Sequence, residues 1–301
     1  MTGARYLLCR RTIPEALGPE GAQVEWRLIA RGWMVRPALV ERNGKMKVRF
    51  YANAGKPAAK AAAKRLEAVA RRAGLALSSR GTCDAIVALG GDGTILRAVR
   101  KFPDIPVLGF NLGSLGYLAS VGESDFERAI SMLAAGDFSV SERTMLDVGG
   151  MTALNDVVVM REMTGHAAVL DVSADGNSAT RYMADGVVIA TPTGSTAYSL
   201  AAGGPVLMPD TKCLVVTPMN PHALGVRPMV VSDAVKLTVT SRRSVVDADE
   251  RLGVYADGEN VAMLKAGESV EIAKSARSAK LVELPGFDPY VVLNRKLGWS
   301  R

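Results

Sequence analysis

The stretch Ala85-Ile86-Val87-Ala88-Leu89-Gly90-Gly91-Asp92-Gly93-Thr94-Ile95-Leu96-Arg97-Ala98-Val99 decides the fold of this chain. Its five leading apolar residues predict a short buried strand. The glycines break that strand, and the spacing of the apolar residues after Thr94 predicts a helix over residues 95–102. A strand that feeds a helix through a glycine-rich turn is the repeating unit of a parallel α/β sheet, whose ligands bind beyond the carboxyl ends of the strands. Gly90, Gly91 and Thr94 read as a phosphate loop around a lone acid, Asp92. Free backbone N–H groups at a helix start suit an anion, and a carboxylate there can accept a proton. Taken alone, an Asp in such a turn is more often a helix cap, with Gly93 supplying a positive φ.

Working outward, the same grammar holds on both sides. Residues 47–51 read as a strand, and Pro57 after the turn at 53–57 suits the first position of a helix. Ala59, Ala62, Ala63, Leu66, Val69, Ala70 and Ala73 then recur at helical spacing, and Gly74 ends the helix. Residues 75–77 and 106–110 read as strands. Residues 124–135 read as a helix capped by Ser124 and stopped by Gly136. An α/β domain with a parallel sheet over residues 46–137 is the expectation.

Near Phe138 helical spacing fades and β-type runs follow one another, at 153–160, 167–173, 186–191, 213–217, 235–240, 245–248, 253–256 and 269–273. A mostly β domain of layered sheets is expected over 138–285, with a tail over 286–301 packing back on the first domain. Residues 1–45 show no sustained period. They read either as a poorly ordered extension or as sequence upstream of a true start at Met46, which the intact mass of the native protein distinguishes.

Composition narrows the function. A chain of 301 residues with 48% hydrophobic content fills two cores. Of the net charge of +7, +4 lies in residues 1–45, and aromatics are only 5% of the chain, so no basic, aromatic-interleaved stripe marks a nucleic-acid partner. Cys9, Cys83 and Cys213 are odd in number, widely spaced and without zinc-type spacing, which fits reduced thiols in a cytoplasm. No apolar run reaches membrane-spanning length, so no membrane partner is expected.

Two more glycine-rich loops follow strands. One is Asn111-Leu112-Gly113-Ser114-Leu115-Gly116-Tyr117-Leu118. The other runs from Thr191 to Pro205, where hydroxyl residues lead into a helix expected from about Ser195 and offer side-chain donors to a polar ligand. Asn155-Asp156 and Asp185-Gly186 are ordinary turn or strand-cap pairs when read alone. His166 and His222 lack the neighbours of a metal site, and Ser195 lacks the spacing of a nucleophile elbow.

Together, GGDGT at 90–94, NLGSLGYL at 111–118, LND at 154–156, ADG at 184–186, TPTGSTAYSLAAGGP at 191–205, PHALGVRP at 221–228 and KLGW at 296–299 resemble the NAD kinase (ATP/polyphosphate-NAD kinase) family. They come in the family's order from about Met46 to the end, and the block at 191–205 is the most specific. The resemblance implies phosphoryl transfer from ATP, or from inorganic polyphosphate, to the adenosine-ribose 2′-hydroxyl of NAD. It implies Mg²⁺ carried mostly on the donor phosphates, and a homodimer or homotetramer. It makes Asp92 the proton acceptor, with Gly93 alongside. It makes Asn155 and Asp156 the dinucleotide-contacting pair, His166 a further contact, and Asp185 a dinucleotide ligand partly across a subunit interface. Thr196, Ala197, Tyr198, Ser199, Leu200 and Ala201 would line the nucleotide pocket.

Three positions depart from the family pattern. Asp156 replaces the usual Glu, Met183 stands where some bacterial members have a basic residue, and Glu259 stands where Gln is common. The chemistry agrees with the residues, because a sugar hydroxyl needs a positioned base near neutral pH. Phosphoryl transfer otherwise rests on positioning and charge neutralisation. Two alternatives remain at this point: a lipid or nucleoside kinase with the same loop, and a non-catalytic NAD(H)-sensing protein.

Overall fold

The computed structural model describes residues 45–52, 57–113, 116–118, 121–162, 166–242 and 251–299. The extension over 1–44 and the strand expected at 245–248 lie outside these.

The first layer is built by β1 (Lys47–Ala52), α1 (Pro57–Arg72), β2 (Ala76–Leu77), β3 (Ala85–Leu89), α2 (Asp92–Lys101), β4 (Val107–Phe110) and α3 (Phe126–Ala135). Its central strands pair in parallel, as expected for strands joined through helices. Both faces of β3 are buried, which explains its unbroken apolar run. Val87 and Leu89 face α1 and α3, whereas Ile86 and Ala88 face α2.

Two helix starts differ from expectation. α2 begins at Asp92 rather than Ile95, with Gly91 as its extended N-cap, because a first turn of Asp, Gly and Thr carries no apolar period. α3 is preceded by a 3₁₀ turn at Glu123–Asp125, and the Ser124 hydroxyl bonds the Asp125 carboxylate rather than the helix end. Gly136 closes α3 in the left-handed conformation, as read from the sequence.

The remaining strands are β5 (Ser139–Arg143), β6 (Leu146–Val148), β7 (Met151–Ala153), β8 (Asp156–Arg161), β9 (Ala168–Ala174), β10 (Asn177–Ala184), β11 (Gly186–Ala190), β12 (Cys213–Met219), β13 (Met229–Ser232), β14 (Leu237–Arg242), β15 (Leu252–Ala256), β16 (Glu259–Leu264), β17 (Ser269–Lys274) and β18 (Ala279–Glu283). Among the described residues they are interrupted only by a 3₁₀ turn at Gly194–Thr196 and by α4 (Tyr198–Ala201), and α5 (Pro289–Leu297) is the last element.

Most of them form two antiparallel sheets, ordered β10-β9-β14-β17-β6-β7 and β13-β12-β11-β8-β15-β16. Val157, Val159, Val187, Ile189, Leu214 and Val216 from one sheet meet Leu170, Val172, Leu237, Val239 and Ile272 from the other. The protein is therefore an α/β unit with a largely parallel sheet, joined to a sandwich of antiparallel sheets. The sheets do not follow a boundary at 137/138. β18 pairs in parallel with β4 and antiparallel with β5, so these two strands from beyond residue 138 complete the first sheet.

The junction between the two parts places the site. The face of the first sheet covered by α2 is also covered by Met145 and Leu154, so Ile95, Ala98 and Val99 of α2 share one apolar cluster with Leu154. Asn155 is the next residue in the chain. On the far sheet, the outer face (Val158, Val188, Ala190, Val215) is packed by Ala202 and Leu207, which anchors the 191–209 segment there.

Candidate active site

Asp92 lies in the first turn of α2, where exposed backbone N–H groups and the helix dipole favour negative charge. Its carboxylate accepts the Tyr117 N–H at 2.8 Å and the Leu118 N–H at 3.1 Å, so it ties the second glycine loop to the first. A Cβ on Gly116 would sit 1.9 Å from Asp92 Oδ1, so only glycine lets that loop lie flat on the carboxylate. Gly91 and Gly93 face open space, leaving the helix start accessible. Gly90 adopts φ +149°, and a Cβ there would strike the Thr94 hydroxyl at 2.4 Å. Burial, and then the Asp92 charge, hold the Tyr117 phenol above its ordinary range.

The Asn155-Asp156 pair is anchored by a residue that carried little signal in the sequence. Asp257 sits at the tip of the β15–β16 hairpin, with φ +47°, followed by Gly258 at +81°. Two positive φ angles suit a two-residue hairpin, and Asp-Gly is a preferred pair for it. The Asp257 carboxylate accepts the N–H groups of Leu154 and Asn155 at 2.8 Å each and that of Asp156 at 3.3 Å. Asp156 is buried, and the Tyr198 N–H bonds its carboxylate. Burial, then the Asp257 charge, push its pKa up to about 7.

That shift has a consequence for stability. Between about 3.8 and 7 the native state holds a proton on Asp156 that the unfolded chain has released. Stability from this group therefore falls as pH rises through that window and is lowest above pH 7. Asp156→Asn keeps an acceptor for the Tyr198 N–H and removes the buried charge. The variant is expected to be more stable than wild type at pH 8, by up to about 4 kcal/mol at about 1.36 kcal/mol per pKa unit, and so to melt at a higher temperature. The advantage shrinks by pH 5, which thermal melts at the two pH values check.

The hydroxyl-rich segment differs from the cradle of side-chain donors read from the sequence. Thr191 Oγ1 donates to the Leu154 carbonyl at 2.6 Å and accepts the Gly194 N–H at 3.0 Å. Ser195 is bonded to Pro192 and Leu207, and Ser199 to Thr217. These hydroxyls are buried and satisfied internally, so the Ser199 side chain is structural rather than part of a pocket wall. The helix expected from Ser195 is a 3₁₀ turn followed by the single turn of α4. Thr196, Ala197, Tyr198, Leu200 and Ala201 keep exposed or half-buried side chains, with Tyr198 42% exposed.

One chain does not gather all the expected residues. β8 and β11 pair antiparallel, with Asp156 opposite Ala190 at one end and Met160 opposite Gly186 at the other. Asp185 therefore lies about 16 Å along the strands from Asp156, at about 3.3 Å per residue. It pairs with Arg161 Nη2 at 2.5 Å and accepts from Asn220 at 2.9 Å, while Arg161 also donates to the His166 carbonyl. The Met183 carbonyl accepts the His222 N–H at 2.9 Å, and the Met183 side chain is 54% exposed. His166 and Asp185 thus form a second group with Arg161 and Asn220, whereas Met183 is tied by its backbone to His222. Neither Arg161 nor Asn220 lies in a motif that singles it out.

Among the described residues, no three His, Cys, Asp or Glu side chains converge on a point suited to a metal ion. Nothing in the described site builds a cage for a protein-held cation. Nor is any helix among those residues long and apolar enough to cross a membrane.

An NAD kinase of Syntrophotalea carbinolica is 40% identical over 231 residues, covering 73% of this chain and 80% of that one. An NAD kinase of Symbiobacterium thermophilum is 40% identical over 72% of this chain and 79% of its own. An Archaeoglobus fulgidus NAD kinase in complex with ATP superposes with a TM-score of 0.68 at 26% identity, covering 84% of this chain and 98% of that one. The yeast NADH kinase complexed with NADH shares the fold, with a TM-score of 0.78 at 22% identity over 86% of this chain and 89% of that one. The models of the ATP-NAD kinase N-terminal and C-terminal domains match residues 40–138 and 154–284, and with these relatives they show that the chain belongs to the ATP-NAD kinase family.

Proposed function

We propose that this protein transfers the terminal phosphoryl group of ATP to the 2′-hydroxyl of the adenosine ribose of NAD, giving NADP and ADP, with Asp92 as general base. The observation that carries the reading is the Asp92 carboxylate, fixed by two loop N–H groups at an open helix start on the junction with the Asn155-Asp156 pair. The ribose hydroxyl gives its proton to Asp92 as its oxygen bonds the phosphorus, and the bridging oxygen leaves with ADP. The N–H groups at the start of α2, beside the open Gly91 and Gly93, receive the donor phosphates. Asn155 and Asp156 receive the ribose.

Mg²⁺ held by the donor phosphates rather than by side chains of the described site would neutralise charge there. Inorganic polyphosphate offers the same phosphoanhydride bond and is the alternative donor. Asp185, with Arg161 and Asn220, serves the site of a second copy in a homodimer or homotetramer, which its distance from Asp156 supports. Free Cys83 and Cys213 support a reducing, cytoplasmic setting.

The test is an assay of the full chain with Mg²⁺, in which ATP or polyphosphate is paired with NAD or NADH. NADP formation is expected. NAD binding without product would favour a sensor, and turnover only on a lipid or nucleoside would favour the related kinases.

A further inference from the structure

Asp257 touches no substrate in this reading, yet three consecutive N–H groups converge on it. The hairpin tip that carries it also receives the backbone of the pair, since the Asp257 N–H bonds the Asp156 carbonyl at 3.0 Å. On its other side stands Arg100, in the last turn of α2, whose first residue is Asp92. The Arg100 charge favours ionised Asp257, and its guanidinium forms an ion pair with Glu259, the residue after the tip. The tip therefore bridges the two halves of the proposed site.

We propose that Asp257 is a positioning residue for NAD: it fixes Asn155 and Asp156 through three backbone hydrogen bonds and ties them, through Arg100, to the helix that carries Asp92. The inference rests on the kinase reading and names a residue that the reading itself does not require.

The charges facing one another here are Asp257 and Glu259 from the hairpin, Arg100 from α2 and Asp156 from β8; α4 contributes the Tyr198 N–H. Burial raises the Asp257 carboxyl as well, but its three N–H donors and then Arg100 oppose that rise. Asp156 has only the Tyr198 N–H against burial and the Asp257 charge, so the proton of the pair resides on Asp156 at neutral pH and leaves as pH rises through about 7. Ionised Asp156 accepts hydrogen bonds from ribose hydroxyls. The KM for NAD should therefore fall as pH rises through that point.

Asp257→Asn is the informative variant, because Asn tolerates the positive φ at the tip. Its amide group must oppose at least one of the three N–H donors, and it removes the negative charge facing Asp156. The KM for NAD is expected to rise about tenfold or more, with kcat within about threefold of wild type, as fits loss of a hydrogen bond to a charged group in a binding subsite. The bend in KM against pH should move below 7, toward the ordinary carboxylate range. A KM within about twofold of wild type with the bend unmoved would overturn the proposal, and so would a fall in kcat alone.

Amide hydrogen exchange on the wild-type chain needs no variant and no turnover. Protection of the Leu154 and Asn155 amides should be strong at neutral pH and should collapse as acid protonates Asp257. Protection that does not depend on the charge of Asp257 would overturn the proposal even if Asp257→Asn failed to fold. Failure of the wild type to make NADP would instead count against the kinase reading, while the amide measurement would still test the anchoring by Asp257.

Discussion

Asp92→Asn is expected to leave the fold and NAD binding in place and to lower kcat by about 10²–10⁴-fold, the usual worth of a positioned base. The substitution changes almost no volume. Its one amide oxygen accepts only one of the two N–H groups that the wild-type carboxylate accepts, Tyr117 at 2.8 Å and Leu118 at 3.1 Å, and its amide nitrogen must oppose the other. One lost hydrogen bond of about 1 kcal/mol slackens the 116–118 loop without unfolding the domain. What the variant cannot do is take a proton from the ribose hydroxyl. Titration calorimetry with NAD and initial rates of NADP formation separate the two effects. A variant that binds NAD normally and turns over near the wild-type rate would remove Asp92 from the chemistry.

Gly194→Ala is expected to be the most damaging glycine substitution in the β-rich part, lowering stability by about 3 kcal/mol or more, as for core overpacking that cannot relax. A Cβ at Gly194 would lie 1.9 Å from the Asn155 carbonyl oxygen and 2.3 Å from its carbon, so the obstruction is backbone rather than a side chain that can swing away. Relieving it pushes the 191–196 turn off β8. That breaks the Thr191 N–H to Asn155 carbonyl bond at 2.9 Å and the Thr191 hydroxyl to Leu154 carbonyl bond at 2.6 Å. Gly91→Ala is the contrast: Gly91 has φ −76° and faces open space, so its stability should stay near wild type. Denaturant midpoints of the two variants check the difference, and equal midpoints would contradict the packing described here.

The parallel sheet was legible because β3 is buried on both faces and written as an unbroken apolar run that ends at glycines, with the fully buried β4 beside it. β10 was not legible, since Asn177–Ala184 is an edge strand with a mostly exposed face and little apolar alternation. β5 and β18 were hidden for another reason. Each is a short segment, β5 just after α3 and β18 near the end of the chain, and only the tertiary fold brings both to the first sheet.

The site divides in the same way. Asp92 stood out through the company of the other glycine-rich loops and the family motif it sits in, since alone it reads as a helix cap, and the structure shows what holds it. Asp257 carried no such signal. Asp-Gly is an ordinary hairpin pair, and its three partners lie about a hundred residues upstream, where no local pattern reveals them. The hydroxyls of Thr191, Ser195 and Ser199 misled in the opposite direction, because composition alone does not tell a ligand donor from one satisfied by a neighbouring carbonyl.

The most direct test of the account is the ³¹P spectrum of the product formed when the full chain is incubated with Mg²⁺, ATP and NAD. A new phosphomonoester on the 2′-oxygen of the adenosine ribose, formed in equal amount with ADP, is the predicted result. ADP without that phosphomonoester, or phosphate attached at any other position, would contradict it.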